Sequence, residues 1–269
     1  MKTYFLYHAF CPDGFGAAYA YWKKYGDKNI TFIPVNHGEP VPEMISGSHL
    51  VIADFSYKRD ILLGLEKKFS KIEVLDHHAT AKDDLEGISF AKFDMNRSGA
   101  VIVWQECFPD EKVPLLLQYV QDRDLWNFKL EKSKEVSAYI GTFEYDFAKW
   151  NALSLEIESD LENVIHIGSA ILKREEQLVK DAAESVRIVE FAGHKIPTVN
   201  SSILHSDIGH YLLNKFSEYP FALIWNYRED GKVKISLRSR GNFDVAAIAK
   251  TYGGGGHKAA AGCRVDFIP

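Results

Sequence analysis

Three β-like runs in this 269-residue chain end in side chains that could bind a metal ion. The first, Thr3 to His8 (TYFLYH), supplies His8 and is followed by Cys11 and Asp13. The second, HLVIAD, ends at Asp54, and the third, KIEVLD, runs into Asp76-His77-His78. A fourth candidate follows the apolar run Leu115 to Val120, in Asp122-Arg123-Asp124, where spacing does not separate the two aspartates. Carboxylates gathered together repel unless positive charge sits among them. Protons or a basic side chain could supply it, but a mixed set of carboxylate and imidazole suits divalent cations. Mn2+ or Mg2+ fits such a set first, with Zn2+, Co2+ and Fe2+ also accepted. Any one Asp after a strand is most often a turn residue or a helix cap. Three acidic strand ends, two of them with His, are harder to explain that way.

A second constellation lies near the C-terminus. Ser236-Leu237-Arg238-Ser239 is followed by Asp244-Val245 and then by Gly253-Gly254-Gly255-Gly256-His257. Consecutive glycines let backbone N–H groups approach a phosphate closely and form an anion nest. The plainer reading is a flexible turn or tight packing. The planar fork of Arg238 matches phosphate oxygens. The GGGGHK run lacks the spacing and the Ser/Thr of a Walker loop.

The elements that must position these residues alternate in the first third of the chain. Strand-like runs at 30–36, 49–54 and 71–76 are interleaved with helix-like runs at 17–24 and 60–69. Such alternation predicts a mostly parallel sheet with flanking helices, and ligands of such sheets bind outside the carboxyl ends of the strands. Residues 98–106 and 113–121 read as helices, and the polar stretch from about 146 to 188 as a helical connector. Strands follow at 195–200, 221–227 and 233–238, then a short helix at 245–250. The expected architecture is α/β: a catalytic domain over 1–130, a mostly helical connector over 131–190 and a smaller α/β domain over 191–269.

Composition narrows the function. Hydrophobic residues make up 46% and charged residues 26%, which is globular composition. The formal net charge is −5, against coating of long duplex nucleic acid by charge alone. No apolar run reaches membrane-spanning length, and Met1-Lys2-Thr3-Tyr4 lacks a signal-peptide layout. Three scattered cysteines, Cys11, Cys107 and Cys263, suit a reducing cytoplasm.

Taken together these motifs resemble the DHH phosphoesterase superfamily, named for its Asp-His-His triplet. The match runs through His8-Ala-Phe-Cys-Pro-Asp13-Gly14, Asp54, Asp76-His77-His78 and the small-residue start Ser98-Gly99-Ala100. At the C-terminal end it takes in Arg238-Ser239, the glycine run with His257, and Ala260-Ala261-Gly262. The resemblance implies two divalent cations, Mn2+ first. His8 and Asp54 would hold one, with Cys11 where the family has an aspartate. Asp13, Asp54, His77 and Asp122 would hold the other, Asp54 bridging both. Asp76 would hold His77 from behind, and His78 would reach the substrate phosphate. Arg238, Ser239, Gly254, Gly255, Gly256 and His257 would grip the substrate. A thiolate at Cys11 would favour Zn2+ or Fe2+; a buried small hydrophobe is the other reading.

The implied reaction is hydrolysis of phosphodiester bonds in short oligonucleotides or dinucleotides by two metal ions sharing a water. Polyphosphate or pyrophosphate hydrolysis is the alternative within the enzyme class, and a catalytically weak nucleotide-binding module the alternative outside it. RNA, DNA and cyclic dinucleotides are all compatible with the motifs.

Overall fold

Alternating apolar side chains dictate the first sheet. The computed structural model describes residues 2–268. It places strands β1 (Thr3–His8), β2 (Ile30–Val35), β3 (His49–Ala53), β4 (Lys71–Asp76) and β5 (Ala91–Phe93) in one sheet of order β2-β1-β3-β4-β5. Each neighbouring pair in it runs parallel. Successive side chains point to opposite faces. Phe5 and Tyr7 therefore pack with Val51, Ala53 and Leu75 against helices on one side. Tyr4 and Leu6 pack with Leu50, Ile52 and Val74 on the other, where Leu62 and Leu65 of helix α2 (Arg59–Glu66) cover them. A sheet buried on both faces is what near-continuous runs such as HLVIA encode.

Helix α1 (Pro12–Tyr25) starts five residues earlier than its apolar pattern suggests. Pro12 occupies the first turn, where its fixed φ and missing N–H cost nothing. The CPDG stretch, whose Pro and Gly also suit a turn, is a helix start with Cys11 at the cap. Helix α3 (Ala79–Asp84) follows the triplet, and α4 (Gly99–Cys107) and α5 (Leu115–Asp124) follow β5. The stretch expected as a connector forms α6 (Ser133–Ile140), α7 (Phe147–Ser159) and the long α8 (Leu161–Ala183), of which Val136, Trp150, Leu153 and Val164 pack into the first core.

The chain divides into two units, Met1–Leu172 and Lys173–Pro269, at a point within α8. The second holds a six-stranded sheet. Its strands are β6 (Arg187–Phe191), β7 (His194–Asn200), β8 (Phe221–Tyr227), β9 (Val233–Ser239), β10 (Gly255–His257) and β11 (Ala260–Val265). Their order is β10-β11-β9-β8-β7-β6, mostly antiparallel, with β7 and β8 parallel. Helix α9 (His205–Lys215) provides the crossover between those two, and α10 (Val245–Thr251) packs on the opposite face with β9 and β11. No helix among the described residues is long and apolar enough to cross a membrane.

Candidate metal centre

Because β1, β3 and β4 are parallel neighbours, their carboxyl ends open at one edge of the first sheet. His8 closes β1, Asp54 follows β3 directly, and Asp76 closes β4. The chain leaves β3 abruptly: Asp54 has φ +60, in the left-handed region. Its backbone N–H still donates to Leu75 O at 3.0 Å. A non-glycine residue in that region is held there by its surroundings, and such residues concentrate at functional sites.

The Asp54 carboxylate sits between two imidazoles. Oδ1 lies 3.1 Å from His77 Nε2, and Oδ2 lies 3.5 Å from His8 Nδ1. Around the same His77 Nε2, Asp13 Oδ2 and Asp124 Oδ2 each lie at 3.6 Å. Cys11 joins His8 and Asp54 in a second group whose potential ligand atoms lie within 4.8 Å of one another. Two overlapping groups thus share Asp54.

The third carboxylate of this cluster is Asp124, in place of the Asp122 that the resemblance implied. Asp122 turns away. Its Oδ1 and Oδ2 accept the backbone N–H groups of Lys129 and Leu130, both at 3.0 Å, and its carbonyl accepts that of Asn127 at 2.9 Å. A carboxylate committed to two backbone donors is a loop clasp. Spacing alone could not show this, because the clasp depends on the turn after α5.

Asp76 also acts differently from the expectation. Its Oδ1 accepts the His77 backbone N–H at 2.7 Å and contacts His78 Nδ1 at 2.7 Å, and Ser56 Oγ donates to Oδ2 at 2.6 Å. It therefore orients the His78 ring and only the main chain of His77.

Asp13 is held from α4. Gly99 N–H donates to Asp13 Oδ2 at 2.6 Å and Ala100 N–H to Oδ1 at 3.0 Å. Unsatisfied amides at a helix start stabilise an anion. The close approach requires glycine: a Cβ on Gly99 would stand 2.7 Å from Asp54 Cβ. Gly14 is likewise constrained, since a Cβ there would meet His8 O at 2.2 Å.

The electrostatics of the cluster favour a cation among these groups. Burial alone would depress the His77 imidazole, but the Asp54 hydrogen bond and the charges of Asp124, Asp54 and Asp13 outweigh it and push it up to about 10. Burial, then Asp54 and Asp124, raises Asp13 well above the carboxylate range. Burial raises the Cys11 thiol too, followed by Asp54, Asp124 and Asp13. A cation among these groups would relieve the repulsion. The buried Asp54 Oδ2 has no hydrogen-bond partner among the described residues. Three carboxylates around one imidazole nitrogen, with a further imidazole and a thiol beside them, fit divalent cations.

His37 was missed from sequence. Its ring lies 4.5 Å from His8 and 5.4 Å from His78, centroid to centroid. The available signal was its place just past β2, which borders β1 at the same sheet edge.

In the second unit the expected phosphate-binding residues separate into two groups. Arg238 Nη2 donates to Ser206 Oγ and Nη1 to Leu237 O, both at 2.8 Å. Ser239 is buried, and its hydroxyl donates to Phe243 O at 2.8 Å, so it locks a turn rather than facing a ligand. Gly254 donates its N–H to Ala249 O at 2.9 Å, and a Cβ on it would meet Gly262 O at 2.0 Å. That amide is unavailable to an anion, and the glycine is there for packing. Gly255, Gly256 and His257 form edge strand β10 against β11, so the run is largely strand rather than an open nest.

Residues 188–266 match the DHHA1 domain family. An uncharacterized protein of Acanthamoeba polyphaga mimivirus is 33% identical, over 98% of this chain and 67% of the viral protein. Among solved structures, a DHH domain from a member of a ribosomal-protein family is similar over 97% of this chain and 82% of its own, with TM-score 0.58 and 16% identity. RecJ of Thermus thermophilus, solved in complex with Mn2+, is similar over 98% of this chain and 50% of its own, with TM-score 0.55 and 14% identity.

Proposed function

We propose that the chain, which carries a DHHA1 domain and a first unit with the fold of a DHH domain, is a DHH-superfamily phosphoesterase: a cytoplasmic, metal-dependent phosphodiesterase acting on short oligonucleotides or dinucleotides. The observation that carries this reading is the convergence of Asp13, Asp54 and Asp124 on His77 Nε2. In it, Asp13, Asp54, His77 and Asp124 hold one divalent cation, and His8, Asp54 and Cys11 hold a second. Mn2+, the ion with which the similar RecJ structure was solved, is the first choice. When bound, such ions lower the pKa of water and neutralise charge on the attacking and leaving oxygens.

The remaining work falls to the chain's own groups. Asp76 fixes the His78 ring through Nδ1. Burial disfavours charge on His78, but the charge and hydrogen bond of Asp76 outweigh it and raise its pKa. His78 is therefore suited to donate a charge-assisted hydrogen bond from Nε2 to a phosphoryl oxygen. The α4 amides keep Asp13 in place as charge changes around it. Within the second unit, Arg238 and His257 are the candidate groups for binding phosphate. No covalent intermediate is required.

The test incubates the protein with Mn2+ and a 5′-labelled RNA dinucleotide, a cyclic dinucleotide or polyphosphate. Turnover of the dinucleotide, lost in His77→Ala and Asp54→Ala, is the expected result. Turnover of polyphosphate alone would reassign the substrate, and metal binding without turnover of any substrate would make the chain a binding module.

A further inference from the structure

The turn that joins β1 to α1 carries an aromatic ring that the packing does not use. Ala9 N–H still donates to Val35 O at 3.0 Å, so the pairing of β1 with β2 runs one residue past His8. Phe10 then takes φ +54, in the left-handed region, and Cys11 returns to an extended conformation as the cap of α1. A bulky side chain in the left-handed region is an outlier, and such strain persists where the surroundings impose it, above all at functional sites. Glycine would hold the same conformation without strain. The strain at Phe10 does not serve burial: the residue is 83% exposed and joins none of the apolar cores. Among the described residues its ring meets no other ring and no cation.

The other large apolar residues with left-handed backbone have structural partners. Trp126 and Phe128 carry the Arg123 guanidinium over their rings, at 4.4 and 5.5 Å, and Leu204 packs against the apolar core beneath α9. Phe10 stands instead between two candidate metal ligands, His8 two residues before it and Cys11 directly after it. Consecutive Cα atoms are about 3.8 Å apart, so the Phe10 Cα is held within about 8 Å of both. Tyr145 borders the same thiol. It is two-fifths exposed, its ring packs 5.2 Å from Phe15 of α1, and burial and then the Cys11 charge raise its hydroxyl. The rim of the metal centre on the Cys11 side is therefore aromatic, and Phe10 is the ring on it with open faces.

We propose that Phe10 is a specificity-determining residue that stacks on the nucleobase of a substrate whose phosphate lies at the metal centre. The proposal rests on the phosphodiesterase reading above and deepens it, because it selects a substrate class. Every nucleobase has a π face, so a stacking ring favours base-bearing substrates whatever their sequence. Polyphosphate and pyrophosphate carry no base and gain nothing from it. The constrained turn fixes the root of the ring, so little freedom is lost when a base settles on it.

The experiment titrates 2-aminopurine riboside 5′-monophosphate with the full chain in Mn2+. This probe has a base and a phosphate but no phosphodiester bond, and stacking on an aromatic ring quenches its fluorescence. Wild type is expected to bind and quench it. Phe10→Ala should bind at least about fivefold more weakly, the low end of what one stacked base contributes, and quench less. Phe10→Trp keeps both effects, and Phe10→Leu, apolar but without a π face, loses them. Phe10→Gly relieves the backbone, so its loss of quenching separates the ring from the turn. Ribose 5-phosphate, which lacks a base, is bound equally by all of these proteins, and their calorimetric Mn2+ affinities are the same. No binding of the probe by wild type, or equal affinity and quenching in Phe10→Ala, overturns the stacking contact. If sedimentation then shows a dimer that Phe10→Ala loses, the ring is a contact between copies instead. Hydrolysis of an RNA dinucleotide is read in parallel, where loss of a binding contact raises KM. If probe binding depends on Phe10 but no dinucleotide is cleaved, the phosphodiesterase reading falls and the stacking residue stands. If the dinucleotide is cleaved with the same KM by wild type and Phe10→Ala, the stacking residue falls and the phosphodiesterase stands.

Discussion

Asp13 and Gly99 are 86 residues apart in the chain, yet the Gly99 N–H donates to Asp13 Oδ2 at 2.6 Å. This contact joins the start of α1 to the start of α4, and both starts abut Asp54. A Cβ on Gly99 would lie 2.7 Å from Asp54 Cβ and 3.1 Å from Asp13 Oδ2. Gly99→Ala is therefore expected to destabilise the protein by about 1–3 kcal/mol, the usual cost of overpacking. It should also lower Mn2+ affinity, because both carboxylates must move. Thermal melts and calorimetric metal titration check the two effects together.

Asp122 and Asp124 should separate by what they break. Asp124→Ala is expected to weaken metal binding at least about tenfold, the loss that follows even removal of a group behind a ligand. It should leave the melting temperature of the metal-free protein unchanged or raised, since one of three repelling carboxylates is gone. Asp122→Ala strands two backbone donors and should cost about 2 kcal/mol of stability. The reverse pattern would restore Asp122 to the metal centre.

Metal binding should release protons. His77, raised to about 10, holds a proton that a cation displaces, and the upward shift of Asp13 acts in the same direction. The sign follows: affinity rises with pH, by about tenfold per unit for each proton displaced, until the site is deprotonated. Calorimetry in buffers of different ionisation enthalpy counts the protons. A pH-independent affinity would contradict the arrangement.

A separate acid-sensitive contact lies at the opposite edge of the first sheet. Glu73 Oε1 is 2.8 Å from both His49 Nε2 and Lys71 Nζ. The His49 hydrogen bond, working against burial and helped by Lys71, depresses Glu73 from 4.5 to about 2. A lowered native pKa gives stability that is present above about 4.5 and lost as pH falls towards about 2. For a partly exposed pair this is about 1 kcal/mol. Glu73→Gln should flatten the stability curve in that window and nowhere else.

The parallel sheet and the convergence of His8, Asp54 and Asp76 were legible because apolar runs ended in ligand-type residues, and parallel strands bring such ends to one edge. Asp124 was not separable from Asp122, since the choice is made by backbone donors at Lys129 and Leu130 that no side-chain pattern announces. Strand β11 hid in Ala260–Val265, where small residues carry little β signal and the glycines of β10 press against it. Ser239 and Gly254 looked like phosphate ligands by motif, but their polar groups are taken up inside the second unit.

Whether Asp54 bridges two cations can be decided by anomalous diffraction from crystals soaked in Mn2+. One peak is expected bounded by Asp13, Asp54, His77 and Asp124, and a second bounded by His8, Cys11 and Asp54. Well-ordered crystals with no peak touching Asp54, or with manganese bound only elsewhere, would contradict the dinuclear centre.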